Sequence, residues 1–212
     1  MNFEIIPAIL VENQEEFVER IKQCEDFAET VQWDVMDGQF VDHMTFSDIA
    51  ALQDVDTVLN IEAHLMVDHP EELLADLERA GIDRVVAHAE SADDLVSLVK
   101  KMKDHDFEVA IAINPETPIS VLEPVAEQLD QVLVMTVVPG SAGQSFLPSQ
   151  LEKVKVLRKK YPKLNIAVDG GVNAANIVSA KEAGANRFAA NSSIFNAPDP
   201  VSAFEQLQSL VA

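Results

Sequence analysis

The stretch "VQWDVM", residues 31–36, carries two different side-chain patterns on alternate positions. Successive residues of a β-strand point to opposite faces, so the odd and even positions form separate surfaces. The odd face is wholly apolar and consists of Val31, Trp33 and Val35. The even face carries Gln32, Asp34 and Met36. In a barrel strand, the apolar face would meet the surrounding helices, and the mixed face would line the lumen.

Two other segments repeat this alternation. In "EAHLMV" (62–67), the apolar positions alternate with Glu62, His64 and Met66. In "IAVDGG" (166–171), Asp169 stands opposite Val168. The polar residues gather toward the carboxyl ends of the strands, which is the end where barrel enzymes carry their chemistry.

Short β-branched runs alternate with segments of helical period along the whole chain. The predicted strands cover residues 3–10, 30–36, 57–67, 83–89, 108–114, 131–138, 165–170 and 186–190. The predicted helices cover residues 13–28, 47–53, 70–81, 91–104, 118–129, 148–161, 173–184 and 200–212. Eight such units favour a single-domain (β/α)8 TIM barrel over residues 1–212. The alternative is an open doubly wound sheet, but no GxGxxG turn follows the first strand.

Composition limits the classes of partner. The 212 residues include 15 basic and 36 acidic side chains, a formal net charge of −21. Nucleic acids and anionic membranes favour positive surfaces, so we expect neither as a partner. No long uncharged apolar run suggests a membrane span, and the start of the chain lacks the pattern of a secretory signal. The lone Cys24 excludes an intramolecular disulfide framework and favours a cytoplasmic location.

Three polar residues at matching strand ends form the main candidate site. We expect Asp34, His64 and Asp169 to converge at the barrel mouth. Two carboxylates and an imidazole can bind a divalent metal, and the same carboxylates can exchange protons with a substrate. The alternative for any one of them is a lumen side chain that is merely hydrogen-bonded. Asp37 follows the strand and precedes Gly38, so we interpret it as a turn or supporting residue.

Methionines occupy the lumen positions of three predicted strand ends. Met36, Met66 and Met135 are either ordinary core filling or a dry lining around the reacting carbon. The alternation alone does not decide between these readings.

Two loops after the last strands are candidates for phosphate binding. Gly170 and Gly171 in "VDGGV" would let backbone N–H groups approach an anion closely, and Ser192 in "AANSSIF" adds a hydroxyl. Arg187, the only nearby base, lies at the start of its strand, so amides and helix dipoles would have to hold the phosphate.

The Gly-rich segment "TVVPGSAGQSF" (136–146) has the size and position of a mobile lid that excludes water, or of a plain surface loop. We assign Gly140, Gly143 and Gln144 within it to substrate or phosphate binding.

With these residues assembled, the chain resembles the ribulose-phosphate 3-epimerase family along nearly its whole length. The segments that carry the resemblance, in order, are "QWDVMDGQFV" (32–41), "HLMV" (64–67), "HAE" (88–90), "NPETP" (114–118), "MTVVPGSAGQSF" (135–146), "VDGGV" (168–172) and "NSSIF" (191–195).

The resemblance implies epimerisation at C3 of a ketopentose 5-phosphate, ribulose 5-phosphate to xylulose 5-phosphate, through an enediolate. It assigns Asp34 and Asp169 as the two proton carriers and as metal ligands, with His64 as a third ligand. The implied cofactor is a divalent Zn, Fe, Mn or Co ion. A homo-oligomer, dimer or hexamer, is also implied, and the methionines become part of the active-site lining.

The chain departs from the family pattern at four positions. Gln32 stands where the family has a fourth metal-binding histidine, and an amide oxygen is a poorer ligand for zinc or iron. Ala8 lines the site where the family has a serine. Ser141 replaces the lid phenylalanine, and Asn191, assigned to phosphate binding, replaces a glycine.

These departures keep several functions open. The first is an epimerase of ribulose 5-phosphate or another ketose phosphate, with weakened activity. The second is a sugar-phosphate binder without catalysis. A third, aldol cleavage or decarboxylation, would need a D-x-K-x-x-D arrangement, and "DVMDG" has no lysine.

Overall fold

Eight parallel strands close into a barrel in the computed structural model, which describes residues 2–140 and 143–212. The strands follow chain order around the barrel, and β8 pairs with β1 to close it. Their bounds are β1 Glu4–Ile9, β2 Thr30–Met36, β3 Asn60–Met66, β4 Arg84–His88, β5 Glu108–Ile113, β6 Gln131–Met135, β7 Asn165–Asp169 and β8 Arg187–Ala190. The predicted barrel is confirmed.

Helices surround this barrel. Their bounds are α1 Gln14–Cys24, α2 Ile49–Leu52, α3 Leu74–Arg79, α4 Leu95–Met102, α5 Leu151–Lys160, α6 Ile177–Ala183, α7 Ser192–Phe195 and α8 Pro200–Val211. Side-chain caps fix several starts: Asn13 accepts a hydrogen bond from the Glu16 amide before α1, and Asp199 caps α8. Within the described ranges, no helix is both long and apolar enough to cross a membrane.

The prediction of a helix over residues 118–129 is wrong. That segment forms two short 3₁₀ turns, Ile119–Leu122 and Ala126–Gln128. Pro124 lies between them, and a proline inside an α-helix removes one hydrogen bond and clashes with the carbonyl four residues earlier. The apolar period is therefore kept over this stretch without a continuous helix.

The odd face of β2 packs outward, as predicted. Trp33 is almost wholly buried, and its ring centroid lies 5.6 Å from that of Phe17 and 5.9 Å from that of Phe46. Its indole Nε1 also donates to the Phe46 carbonyl at 3.0 Å. Because this face is anchored against α1 and the loop after β2, Gln32 and Asp34 are held in the lumen.

The amino-terminal end of the lumen contains a network of ion pairs and hydrogen bonds. We name it the amino-end cluster, and it consists of Glu4, Glu62, Arg84, Glu108, Gln131 and Arg187. Arg84 Nη1 donates to Glu62 Oε2 at 2.6 Å, and Arg84 Nε donates to Glu108 at 2.7 Å. Gln131 donates to Glu62 at 2.9 Å and accepts from Arg187 at 2.6 Å. Every carboxylate in this cluster contacts a guanidinium group.

A small apolar layer lies above the amino-end cluster. Its buried members include Val86, Ala110, Leu133 and Ala167. This layer separates the amino-end cluster from the carboxyl ends of the strands.

Candidate active site

The predicted site residues surround one cavity at the carboxyl end of the barrel. Those that line it are Ala8, Asp34, Met36, His64, Met66, Met135, Gly140, Gly143, Gln144, Asp169, Gly170, Gly171, Asn191 and Ser192. Gln32 lies beneath it and is fully buried. Leu10, Val137, Pro139, Val172 and Ala189 also line the cavity and were not predicted.

Strand register brings the polar side chains together. Asp34 on β2 is the direct pairing partner of His64 on β3, and Met36 pairs with Met66 two residues further along the same face. On the other side of the lumen, Met135 on β6 pairs with Asp169 on β7. Proton-transfer candidates and methionines therefore meet from both sides of the barrel.

Five polar side chains form what we name the carboxyl-end cluster: Gln32, Asp34, His64, His88 and Asp169. Its centre is the amide nitrogen of Gln32, which donates to Asp34 Oδ1 at 2.8 Å and to Asp169 Oδ2 at 2.7 Å. The same nitrogen lies 3.3 Å from His64 Nδ1. Gln32 is thus the side chain that joins the two carboxylates.

The oxygen of that amide differs from the nitrogen in its contacts. Gln32 Oε1 is buried and has no hydrogen bond within the described part of the chain. A buried carbonyl oxygen without a donor is unfavourable. The Gln32 rotamer therefore gives Nε2 two acceptors but leaves Oε1 without a donor among the described residues.

His64 connects the carboxylates to a second histidine. Its Nδ1 lies 2.9 Å from Asp34 Oδ1 and 3.5 Å from Asp169 Oδ2. Its Nε2 lies 2.9 Å from His88 Nε2, and His88 Nδ1 lies 3.3 Å from Glu90 Oε2. His88 and Glu90 are missing from the predicted site, although β4 alternation places Arg84, Val86 and His88 on one face. That alternation was the available signal.

The environment shifts the pKa values of these groups in different directions. Burial and the nearby Asp34 charge raise the pKa of Asp169 to about 7. Burial opposes protonation of His64, but its hydrogen bond with Asp34 and the charges of Asp34 and Asp169 outweigh it, and the pKa of His64 is raised. Burial lowers the pKa of His88 to about 4. One carboxyl group therefore titrates close to neutral pH, so both of its protonation states are accessible there.

The residues present could hold a metal ion. The ligand atoms of Asp34, His64 and Asp169 lie within 4.8 Å of one another. If the Gln32 amide turned by half a rotation, its unpaired Oε1 would replace Nε2 between these acceptors. That arrangement is favourable only with a cation between them, so the orphaned oxygen fits a fourth ligand.

The three methionines border the cluster on the cavity side. Met36 and Met66 are each 2% exposed, and Met135 is 3% exposed. They line the cavity and are also tightly packed against the strands.

The loops after β6 and β7 lie against each other without room for a side chain. Gly170 and Gly171 have φ values of 114° and 68°, in the region that favours glycine. A Cβ on Gly171 would come within 2.8 Å of Gln144 O and of Phe146 N. Among the described lining residues none is lysine or arginine, so any anion here would have to be met by amides and hydroxyls.

Side chains assigned to substrate binding also contact the protein itself. Asn191 Nδ2 donates to the Ala8 carbonyl at 2.6 Å, and Gln144 Nε2 donates to the Val138 carbonyl at 2.6 Å. Ser141, the departure noted in the lid segment, and Ala142 lie outside the described residues.

Asp37 supports the loop that follows β2. Its carboxylate accepts from the amides of Gln39 and Phe40 at 2.8 and 3.0 Å, and from the Asp68 amide at 2.8 Å. Burial opposes ionisation, but these amide hydrogen bonds outweigh it and lower the pKa of Asp37. The interpretation as a turn and supporting residue agrees with these contacts.

Comparison with known proteins extends over most of the chain. A sequence model of the ribulose-phosphate 3 epimerase family matches residues 4–195. Ribulose-phosphate 3-epimerase from Candida glabrata is 40% identical over 190 residues, covering 82% of this chain and 77% of the relative. The enzyme of that name from Schizosaccharomyces pombe is 39% identical over 182 residues, covering 84% and 80%.

Solved structures give an independent view of the fold. 3-Hexulose-6-phosphate synthase from Salmonella typhimurium superposes with a TM-score of 0.73 at 15% identity, covering 98% of each chain. At that identity the similarity concerns the barrel alone.

Proposed function

Because the chain belongs to the ribulose-phosphate 3-epimerase family and is a carbohydrate epimerase, we propose that it inverts C3 of ribulose 5-phosphate through Asp34 and Asp169. Inversion requires that a proton leaves one face of the carbon and that another arrives on the opposite face. Two acid–base groups on opposite sides of the substrate meet that requirement.

The observation that carries this proposal is the double contact of the Gln32 amide. One nitrogen lies within 2.8 Å of Asp34 Oδ1 and 2.7 Å of Asp169 Oδ2, although β2 and β7 are not neighbours in the barrel. Both carboxyl groups also line the same cavity. A sugar carbon at the cavity floor would therefore lie between two carboxyl groups.

The different environments of the two carboxyl groups suggest their roles. Asp169, with its pKa raised to about 7, is suited to donate a proton. In the forward direction Asp34 accepts the C3 proton, the C3–H electron pair forms a C2–C3 double bond as the C2 carbonyl π pair moves onto its oxygen, and an enediolate forms. Asp169 then returns a proton to the opposite face of C3. In the reverse direction the two residues exchange roles.

We infer that Asp34, His64 and Asp169 would hold the metal, with Gln32 Oε1 as a neutral fourth ligand. A bound divalent ion would stabilise the negative charge that develops on the sugar oxygens. His64, buried against Asp34, orients that carboxylate in either case.

The remaining lining residues would position the sugar phosphate. Met36, Met66 and Met135 would exclude water from the planar intermediate. The amides around Gly170 and Gly171, with Ser192, would bind the phosphate. The segment around Gly140 would cover the site as a lid.

An assay on purified protein tests the proposal. Ribulose 5-phosphate would be supplied with Zn²⁺, Fe²⁺, Mn²⁺ or Co²⁺ in separate reactions, and xylulose 5-phosphate formation would be followed with a coupling enzyme. In deuterated water, the substrate C3 proton should exchange for deuterium. Absence of both turnover and exchange with every metal would contradict the proposal.

A second candidate is a sugar-phosphate binder without turnover. The Gln32 amide favours it, because its two hydrogens are directed at the carboxylates that would act as bases. Calorimetric binding of ribulose 5-phosphate without C3 exchange would support this candidate, and any measurable exchange would exclude it.

A further inference from the structure

Glu90 contacts His88, the member of the carboxyl-end cluster that lies on the far side of His64 from the two aspartates. The proposed proton transfers use neither residue. His88 is fully buried and lies between His64 and Glu90. The two histidine rings meet edge to edge, with centroids 5.1 Å apart and planes 21° from parallel, as a hydrogen bond between ring nitrogens requires. The ring nitrogens that carry hydrogen in His88 and His64 can be deduced by starting from Glu90.

Glu90 sets the direction at the outer end. Its Oε1 accepts from the Asn114 amide at 2.8 Å, and its Oε2 lies 3.3 Å from His88 Nδ1. Burial opposes its ionisation, but hydrogen bonds from His88, Thr117 and the Asn114 amide outweigh this effect and lower the pKa of Glu90 to about 2. An ionised carboxylate only accepts hydrogen bonds, so His88 Nδ1 carries a hydrogen.

The hydrogen on Nδ1 determines the other nitrogen of His88. A fully buried imidazole favours its neutral form, which has a hydrogen on one nitrogen only. His88 Nε2 is therefore an acceptor, and the facing His64 Nε2, 2.9 Å away, must donate.

The protonation of His64 Nε2 in turn determines the state of His64 Nδ1, which faces the two aspartates. With a hydrogen on Nε2, His64 has an Nδ1 lone pair directed at the space near Asp34 Oδ1 and Asp169 Oδ2. The two hydrogens of Gln32 Nε2 already serve the two carboxylates at shorter distances, so a cation, either a proton or a metal ion, is needed to reconcile that lone pair with them. In the opposite arrangement, with His64 Nδ1–H donating to Asp34, the bare Nε2 would face His88, and no nitrogen lone pair would face Asp34 and Asp169.

We propose that Glu90 is a positioning residue that acts through His88 to keep the His64 hydrogen on Nε2, reserving Nδ1 for the cation between Asp34 and Asp169. The use of that cation rests on the proposed function, but the hydrogen positions do not. They can be measured without substrate.

The replacement Glu90→Gln tests this relay. A glutamine amide can donate to His88 Nδ1 as well as accept from it, so the direction is no longer imposed. Long-range proton–nitrogen NMR of protein labelled with ¹⁵N-histidine reports which ring nitrogens carry hydrogen. In the unmodified protein, His88 should show a protonated Nδ1 and a bare Nε2. In the variant, the opposite tautomer should appear.

Zn²⁺ binding provides a second readout. Loss of a partner that orients a ligand histidine typically weakens metal binding about 10–100-fold, and we expect a loss in that range by calorimetry. Glu116→Gln is the matched control, because Glu116 is exposed in the loop after β5, two residues beyond Asn114, and its replacement removes the same charge. It should leave both readouts unchanged.

Two results would overturn the proposal. One is a bare Nδ1 on His88 in the unmodified protein, a measurement that does not depend on whether the variant folds. The other is a folded Glu90→Gln protein with unaltered tautomers and Zn²⁺ affinity. Failure of the epimerase assay alone would contradict the proposed function and leave this relay intact.

Discussion

The two ends of the barrel lumen each contain a buried glutamine that donates to a carboxylate, yet the two side chains are used differently. In the amino-end cluster, Gln131 Nε2 donates to Glu62 and its Oε1 accepts from Arg187. In the carboxyl-end cluster, Gln32 Nε2 donates to Asp34 and Asp169, while its Oε1 has no partner in the described chain.

Charge pairing explains the contrast. The three glutamates of the amino-end cluster contact Arg84 and Arg187, so each carboxylate has a guanidinium partner. No guanidinium or ammonium group lines the cavity at the other end, as far as its described residues extend. Paired charges stabilise a geometry, whereas carboxylates without a guanidinium or ammonium partner in the described chain remain available for proton transfer or cation binding.

Removing a carboxylate from the carboxyl-end cluster should have the largest effect. The replacement Asp34→Asn retains the shape but cannot accept the C3 proton, so kcat should fall by about 10⁴-fold. Steady-state assays with ribulose 5-phosphate measure this loss, and circular dichroism checks that the variant is folded. A folded variant that keeps a tenth of the activity would remove Asp34 from the mechanism.

Breaking an ion pair in the amino-end cluster should instead affect stability. The replacement Arg84→Met leaves Glu62, which is 1% exposed, without its guanidinium partner. Such losses typically destabilise by about 3–5 kcal/mol. Denaturant unfolding measures this change, and the folded fraction should retain its kcat.

The matched control is Lys155→Met, which breaks the exposed pair with Glu152 and should cost at most about 1 kcal/mol. If the two variants lost equal stability, the distinction between the paired end and the reactive end would fail.

Replacing Gln32 with a histidine should increase the difference in cation binding between the two ends of the lumen. In Gln32→His, an imidazole nitrogen replaces an amide oxygen as the fourth ligand, which suits zinc better. We expect Zn²⁺ affinity to rise about tenfold or more by calorimetry, and the metal-dependent turnover to rise with it. Gln32→Leu, which removes the ligand, should bind Zn²⁺ more weakly than the unmodified protein. The reverse order of affinities would contradict the ligand assignment.

The smallest expected effect concerns the free energy of unfolding. Because the pKa of Asp169 is raised to about 7 in the folded state, the fold favours its protonated form. Stability from this group is present below the unfolded pKa near 4 and is lost as pH rises through about 7.

The replacement Asp169→Asn should remove this penalty. In the presence of a chelator, its Tm should exceed that of the unmodified protein at pH 8 but not at pH 4. A gain of about 1 kcal/mol corresponds to roughly 2–4 °C for a chain of this size. Asp104→Asn, at an exposed carboxylate, is the control and should change neither value. A Tm difference that is the same at both pH values would contradict the raised pKa.

Strict alternation made part of this molecule predictable from the sequence. The bounds of β2 agree with the predicted 30–36, because Val31, Trp33 and Val35 identify the outward face without ambiguity. The same logic placed Asp34, His64 and Asp169 around one cavity, although they are separated by up to 135 positions in the chain. A parallel barrel brings the carboxyl ends of all its strands to one end, so residues far apart in the sequence can line the same cavity.

Other features depend on contacts that a linear pattern does not contain. The 118–129 segment has a helical apolar period, yet Pro124 splits it into 3₁₀ turns. The orientation of the Gln32 amide depends on rotamers from three strands at once. The relay from Glu90 to His64 needs the β3–β4 register as well as the loop that brings the Asn114 amide to Glu90.

The absence of lysine and arginine from the described cavity lining also affects how substrate arrives. A protein of net charge −21 repels a sugar phosphate during diffusional encounter, and that repulsion is screened beyond about 8 Å at physiological ionic strength. The association rate should therefore increase as salt is added, unlike that of enzymes with basic entrances. The same field concentrates divalent cations near the surface. For this barrel, a higher ionic strength would increase the association rate of the sugar phosphate and decrease that of the metal ion.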